Sequence, residues 1–292
     1  MILNPFDPWK SRLCTCPSKL SLNPYTGCPH GCLYCYASSY IPNFRTCRPK
    51  TDLPRRLALE AARVPQGRLL AMSNSSDPYP PMEEKLCLSR NCLEILRARG
   101  LAVQVVTKSC LVARDAQLLA GMRACVAITL TTLDDSISRS LESGASLPGQ
   151  RLKAMEKLAA LGVPVSARID PIIPGINDAE IDDLVSAVSR AGALHITSST
   201  YKARPGGLKR IMNAFPEQGA ALQRLFAGGE MMAGSLYLPA ELRRGLMERI
   251  AASAEVEALT FSSCREGSEP APGINCDGSH LLPSQDKVKP EE

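Results

Sequence analysis

Three of the 12 cysteines lie in the stretch NPYTGCPHGCLYCYA, where Cys28, Cys32 and Cys35 follow a C-x3-C-x2-C spacing. Three thiolates on one tight loop bind three irons of a cubane cluster and leave the fourth iron open to a ligand. Gly27 and Gly31 let the backbone wrap closely and Pro29 stiffens the turn. Tyr34, just before the third cysteine, puts a ring beside whatever the open iron holds. The competing chemistry is a structural zinc ion bound by the triplet and His30, although zinc knuckles usually draw their ligands from two separate places in a chain.

Other residues invite a chemical reading. Cys14 and Cys16 precede the first expected strand, and Cys264 and Cys276 lie near the other end. If the two ends meet, these four thiols make a second iron–sulfur or zinc site; otherwise they are free or buried thiols that pack as small apolar groups. Cys47 lies near Arg45 and Arg48, which would lower its pKa, while Cys87, Cys92, Cys110 and Cys125 read as structural. The segment YKARPGGLKR holds no acid, and its Lys202 and Arg204 are candidates for contact with a substrate phosphate, against the plainer reading of a solvated basic loop. Arg168 falls inside an apolar strand-like run, where a charge needs a partner, and is a candidate catalytic residue.

These residues need a frame. The 292 residues are 45% apolar, with no apolar run near the roughly 18 residues that span a membrane. The N-terminal residues MILNPFDPWK lack the apolar core of a signal peptide, so a cytoplasmic, reducing setting is expected, where clustered thiols mean metal or redox chemistry. A net charge of +5 is mild for a dedicated nucleic-acid-binding domain, and 4% aromatic residues make a poor base-stacking platform. Strand-like runs at 20–25, 68–73, 102–107, 125–131, 164–173 and 195–201 alternate with amphipathic helical patterns at 83–99, 114–122, 149–161 and 178–191. This βα repeat predicts an α/β fold, a partial (β/α)6 TIM-like barrel with a C-terminal extension and its chemistry at the C-terminal ends of the strands. Asn177, with Glu180 three residues on, has the form of a helix cap and its reciprocal partner, and Arg114-Asp115 that of a helix start. The expected organisation is an N-terminal segment (1–19), a core barrel (20–210), an extension (211–265) and a loosely ordered tail (266–292), part of which Cys276, Leu281 and Leu282 could pin.

The cysteine triplet with an aromatic before its last member is similar to the signature of the radical S-adenosylmethionine (SAM) superfamily. SSDPYPPME (75–83), TKSCLVARDAQLL (107–119), TLTTLDD (129–135) and DPIIPGINDAE (170–180) narrow the resemblance to the spore photoproduct lyase-like branch, often labelled DNA repair photolyase. The resemblance implies a [4Fe–4S] cluster at Cys28, Cys32 and Cys35 whose open iron chelates SAM. It implies one-electron cleavage of SAM to a 5′-deoxyadenosyl radical and hydrogen abstraction from a substrate, with a low-potential donor such as ferredoxin or flavodoxin.

By position in these motifs, Tyr34, Lys108, Ser109 and Thr131 are expected at the SAM carboxylate and polar groups, and Ser73, Ser76 and Asp77 near its amino end. Lys108 as a solvated lysine and Asp77 as an Asx-turn ahead of Pro78 are the alternatives. One departure matters. Spore photoproduct lyase carries, in its second-strand segment, a cysteine that returns a hydrogen atom to the product radical; this sequence has Asn74, also considered as a catalytic position, and an amide donates no hydrogen atom. Spore photoproduct cleavage is therefore not expected, and the substrate, nucleic acid included, stays open. The rival function is a non-catalytic, zinc-stabilised nucleic-acid-binding protein.

Overall fold

The computed structural model describes residues 1–6, 13–72 and 75–284; Ser73 and Asn74 lie outside it. AVQVVT and ACVAIT are apolar almost without interruption, the composition of parallel strands covered on both faces. They form the middle of the main sheet. Among the described residues the strands are β1 (Asn4–Pro5), β2 (Leu20–Leu22), β3 (Tyr25–Thr26), β4 (Arg48–Pro49), β5 (Leu69–Met72), β6 (Ala102–Thr107), β7 (Ala124–Thr129), β8 (Val165–Ile172), β9 (Ala193–Thr200), β10 (Glu230–Met232), β11 (Ser235–Tyr237) and β12 (Thr260–Ser263). The main sheet runs β1-β2-β5-β6-β7-β8-β9-β12. All its neighbours are parallel except β1, which is antiparallel to β2. β3 pairs with β4 and β10 with β11 as small antiparallel ribbons.

Six parallel strands thus follow one another in chain order, β2, β5, β6, β7, β8 and β9, and β12 from the extension adds to their far edge. With β1 and β12 at the two ends, the sheet is an open, partial barrel. Helices cover it through apolar stripes. Leu88–Ala98 buries Leu88, Leu93 and Leu96, and Ile181–Arg190 buries Ile181, Leu184, Val185 and Val188. Each such side chain stabilises by about 1.5–3 kcal/mol, against a few tenths from helix propensity, so the stripes decide where the helices lie. Ala240–Val256, in the extension, packs on Ile181–Arg190 and on β9 and β12. Among the described residues no helix is long and apolar enough to cross a membrane.

Several local expectations are corrected. The pattern at 83–99 is two helices, Glu83–Leu86 and Leu88–Ala98, parted at Cys87, which takes a left-handed φ of 49°. Asp115 offers no cap; its buried carboxylate accepts from Tyr79, Arg90 and Arg114, and a 3-10 turn, Cys110–Asp115, precedes a short helix, Ala116–Ala120. Asn177 does not cap a helix either. Its amide donates to the carbonyls of Thr131 and Pro171 and accepts from Ile173 N, tying the β7 and β8 loops together. Glu180 accepts from Thr132 Oγ1 and Leu133 N instead of closing a capping box.

The part of the tail that is described turns inward. Cys276, Asp277 and Ser279 are buried, the Asp277 carboxylate pairs with Lys19, and its carbonyl accepts from Gln104 on β6. Thr197 Oγ1 on β9 donates to Cys276 O at 2.9 Å, and Gly278 lies against Ser166 and His195. Residues 275–280 therefore cross one face of the sheet from the side of β2 to that of β9. A pattern of Pro, Gly and Ser reads as disorder only while the partners of its few polar and apolar anchors are unknown.

Candidate active site

The C-terminal ends of the parallel strands open into one cavity of about 290 Å³. Cys28, Cys32, Cys35, His30 and Tyr34 enter it from the loop after β3, Ser76 and Asp77 from the loop after β5, and Thr107 and Lys108 from the end of β6. Thr129 closes β7, Arg168 and Asp170 come from β8, Ser199 and Thr200 close β9, and Tyr201 and Lys202 follow it. This is the wall that the strand-end rule for α/β barrels predicts.

The cysteine loop is fixed by its backbone. Cys28 N donates to Phe44 O at 2.7 Å, Leu33 N to Leu141 O at 2.9 Å, and Gly144 N to His30 O at 2.8 Å. Gly27 has φ +77°, and a Cβ there would sit 2.4 Å from Thr46 O; Gly31, at φ +67°, would meet Ser143 Oγ at 2.6 Å. Burial, with the Asp77 charge adding to it, pushes the Cys28 thiol up to about 12. Burial also holds Cys32 well above the usual thiol range, with the nearby Lys108 charge opposing it. A buried thiol in this loop needs a strong partner, such as a metal, to become a thiolate.

Asp77 acts as the hub of the neighbouring strand ends. Its Oδ1 accepts from Tyr79 N at 2.9 Å and Thr107 Oγ1 at 2.7 Å, and its Oδ2 from Lys108 N at 2.8 Å, with His30 Nδ1 at 3.5 Å. The Asx-turn ahead of Pro78 is thus present, and the same carboxylate also faces the cavity. Burial depresses the pKa of His30, with the Asp77 charge opposing it. Ser76 lines the cavity and donates to Tyr25 O at 2.9 Å. Two residues expected around SAM lie elsewhere. Ser109 caps the 3-10 turn by accepting from Leu111 N, and Thr131 is buried off the cavity wall; Thr107 and Thr129, two residues earlier in each motif, stand on it.

Behind the loop lies a charged network the sequence reading did not single out. The Tyr34 hydroxyl donates to Glu142, which is ion-paired with Arg151; Glu142 and Arg151 are each 1% exposed. Burial alone would raise the Glu142 pKa, but the Arg151 and Lys108 charges outweigh it and keep the carboxyl below its ordinary range. The Lys108 ammonium is 5.5 Å from the centre of the Tyr34 ring. A sequence signal did exist: Arg151 shares a stripe with Ala154, Met155 and Leu158, at helical spacing, and a charge on an apolar stripe implies a buried partner.

Arg168 does have its partner, Asp170 Oδ2 at 2.7 Å, and Asp170 also accepts from Ser199 Oγ at 2.6 Å. Lys202 is not an open phosphate contact. It is 8% exposed and bound to Glu266 at 2.6 Å, which Arg243 also contacts at 2.8 Å. Arg204 donates to Gly234 O at 3.2 Å, beside the β10–β11 ribbon. The thiol of Cys47 is pushed up to about 11 by burial and Asp77, opposite to the lowering expected from its arginine neighbours. Cys14, Cys16 and Cys264 line the same cavity, and the Sγ atoms of Cys16 and Cys276 are 3.5 Å apart.

The uncharacterised protein Mb2609c of Mycobacterium bovis is 27% identical to this chain over 259 residues, covering 80% of this chain and 73% of that protein. Spore photoproduct lyase complexed with dinucleoside spore photoproduct superposes with a TM-score of 0.65 at 16% identity, over 87% of this chain and 79% of that one. Streptococcus suis SuiB bound to S-adenosylmethionine gives 0.56 at 15% identity, over 84% of this chain and 50% of SuiB. At these identities the two solved structures share the fold. The sequence profile of the Radical SAM superfamily matches residues 22–188, more than half of the chain and the whole stretch from the cysteine loop to the helix after β8, and the chain therefore belongs to that superfamily.

Proposed function

We propose that this chain is a radical SAM enzyme that holds a [4Fe–4S] cluster at Cys28, Cys32 and Cys35, binds SAM in the cavity beside it, and abstracts a hydrogen atom from a substrate. The observation that carries the reading is the convergence of all three thiols of one loop on a single cavity walled by the ends of the parallel strands. The loop fits such a group: its glycines bring backbone close to backbone, and its donors are thiols, the ligands such clusters take. Held by these three thiols, such a cluster would supply the single electron for reductive cleavage of SAM, and so the means of hydrogen abstraction.

The chain's own residues supply position and charge. Lys108 offers a cation for the SAM carboxylate, held near Tyr34 and Glu142. Thr107, Ser76 and Thr129 offer hydroxyls on the wall, while Asp77 fixes the strand ends through the contacts it already makes. Arg168 and Asp170 give the far side a paired charge that orients a polar substrate without leaving a lone ion. A low-potential ferredoxin or flavodoxin is the electron donor this chemistry requires. The zinc reading needs His30 as a fourth ligand through Nε2, since its Nδ1 faces Asp77. For a nucleic acid substrate, Lys202 is already neutralised by Glu266 and does not offer a free charge to a phosphate.

Anaerobic reconstitution with iron and sulfide tests the reading. The expected result is a brown protein that, on reduction, converts SAM to methionine and 5′-deoxyadenosine, with both colour and turnover lost in Cys32→Ala. A colourless zinc protein that leaves SAM intact under strong reductant refutes it.

A further inference from the structure

We propose that Cys14, Cys16, Cys264 and Cys276 form a second thiolate site, for a thiophilic metal, on the flank of the cavity built by the two ends of the chain. The four come from three separate segments, and the fold gathers them. Cys16 Sγ is 3.5 Å from Cys276 Sγ, Cys14 lies two residues from Cys16 on the same segment, and Cys264 directly follows β12. Cys14, Cys16 and Cys264 line the cavity, and Cys276 is 2% exposed beneath it.

The spacing has chemical meaning. Two thiolates on one tetrahedral ion, with metal–sulfur bonds of about 2.3 Å, stand ~3.8 Å apart. The observed 3.5 Å is near that value and far from the ~2.05 Å of a disulfide. The two closest thiols are also anchored together. Cys16 lies three residues before Lys19, Cys276 one residue before Asp277, and Lys19 and Asp277 form a buried ion pair, so one contact fixes both backbones. Thr197 holds the Cys276 carbonyl from β9. Among the described residues no three donors already surround one point, and this is equally true of Cys28, Cys32 and Cys35. At both places the metal completes the site by drawing in side chains whose backbones are already near, as expected where binding and local folding are coupled. Zinc and an iron–sulfur cluster share this ligand chemistry.

The site is separable from the radical SAM reading because its readout is metal content. The triple variant Cys28→Ala/Cys32→Ala/Cys35→Ala, purified anaerobically and offered zinc, or iron with sulfide, is expected to retain one zinc ion or one cluster per chain, with only sulfur in the first coordination shell. Colour and elemental analysis tell the two apart. Adding Cys16→Ala/Cys276→Ala to that background is expected to abolish binding. Should the triple variant fail to fold, shown by its circular dichroism, the wild-type chain decides, since its total metal must exceed the four irons that one cubane holds. A triple variant that folds and binds nothing, metal that survives loss of Cys16 and Cys276, a wild-type chain with four irons and no other metal, or a Cys16–Cys276 disulfide recovered under anaerobic isolation each overturns the proposal.

Discussion

Arg151→Met probes the charged network behind the cysteine loop. Arg151 and Glu142 are each 1% exposed and paired, and Arg151 also donates to Ser146 O at 2.7 Å and Thr129 O at 3.0 Å. Methionine fills much of the arginine volume but leaves a buried carboxylate uncompensated, a loss of about 3–5 kcal/mol. For a chain of this size that is a fall in Tm of roughly 6–20 °C. The double variant Arg151→Met/Glu142→Gln removes both charges while leaving Tyr34 an acceptor, so it is expected to lose less than Arg151→Met alone. A pH signature accompanies the single variant. In the wild type the Glu142 pKa is lowered, so its contribution is lost as the pH falls. Without Arg151, burial dominates and the folded-state pKa rises above the unfolded value, so stability falls as pH rises. Urea unfolding of the four proteins of the cycle at pH 5 and pH 8 provides the measurement. A single variant within about 1 kcal/mol of wild type, or a double variant that costs the sum of the two singles, refutes the claim that a buried ion pair holds this end of the loop.

Three further outcomes are expected. Gly27→Ala meets the Thr46 carbonyl at 2.4 Å and a φ of +77°, so it loses at least about 1–3 kcal/mol and reconstitutes with less iron; iron content equal to wild type contradicts this. Lys108→Gln keeps the cluster but weakens SAM binding roughly 10- to 100-fold, the worth of a charge-assisted hydrogen bond, as read by equilibrium dialysis; an unchanged Kd removes Lys108 from the SAM site. His195 is fully buried, and burial, with the His280 and Arg168 charges adding and the Asp277 charge opposing, lowers its pKa from 6.5 to about 3. In that window the unfolded chain binds the proton and the folded chain does not, so stability is lost as pH falls below 6.5, by about 2 kcal/mol at pH 5. His195→Gln should flatten that part of the stability profile, and denaturation between pH 4 and 7 that leaves the slope unchanged rules this out.

The strands were legible because each is a short apolar run bounded by turn residues, and β6 falls where its pattern places it. Other ends slipped by one to three residues: Tyr25 leaves the run of β2 to pair with β4 in the small ribbon, and Thr131 continues the β-branched pattern past the end of β7. Ser109 and Thr131, expected at SAM by motif position, each lie two residues past Thr107 and Thr129, which stand on the cavity wall. Contacts that join distant parts of the chain left the weakest trace. Nothing local marks Glu266 as the partner of Lys202, or Asp277 as that of Lys19, because an ion pair across 64 or 258 positions has no period. Asn177 misled for a related reason: its spacing to Glu180 is that of a cap, but buried carbonyls of two other loops compete for the same amide and win.

The inward-turned segment at 275–280 sets an order of assembly. Contacts between residues this far apart in the chain form after the local ones, since closing a long loop precedes any gain from its ends. Until that segment is made, Lys19, Gln104 and Thr197 have water in place of Asp277 and the Cys276 carbonyl. The strands that carry the cysteine loop can already be paired by then. The cavity is therefore open along this flank until residues 275–280 are in place, with Asp277 completing its lining.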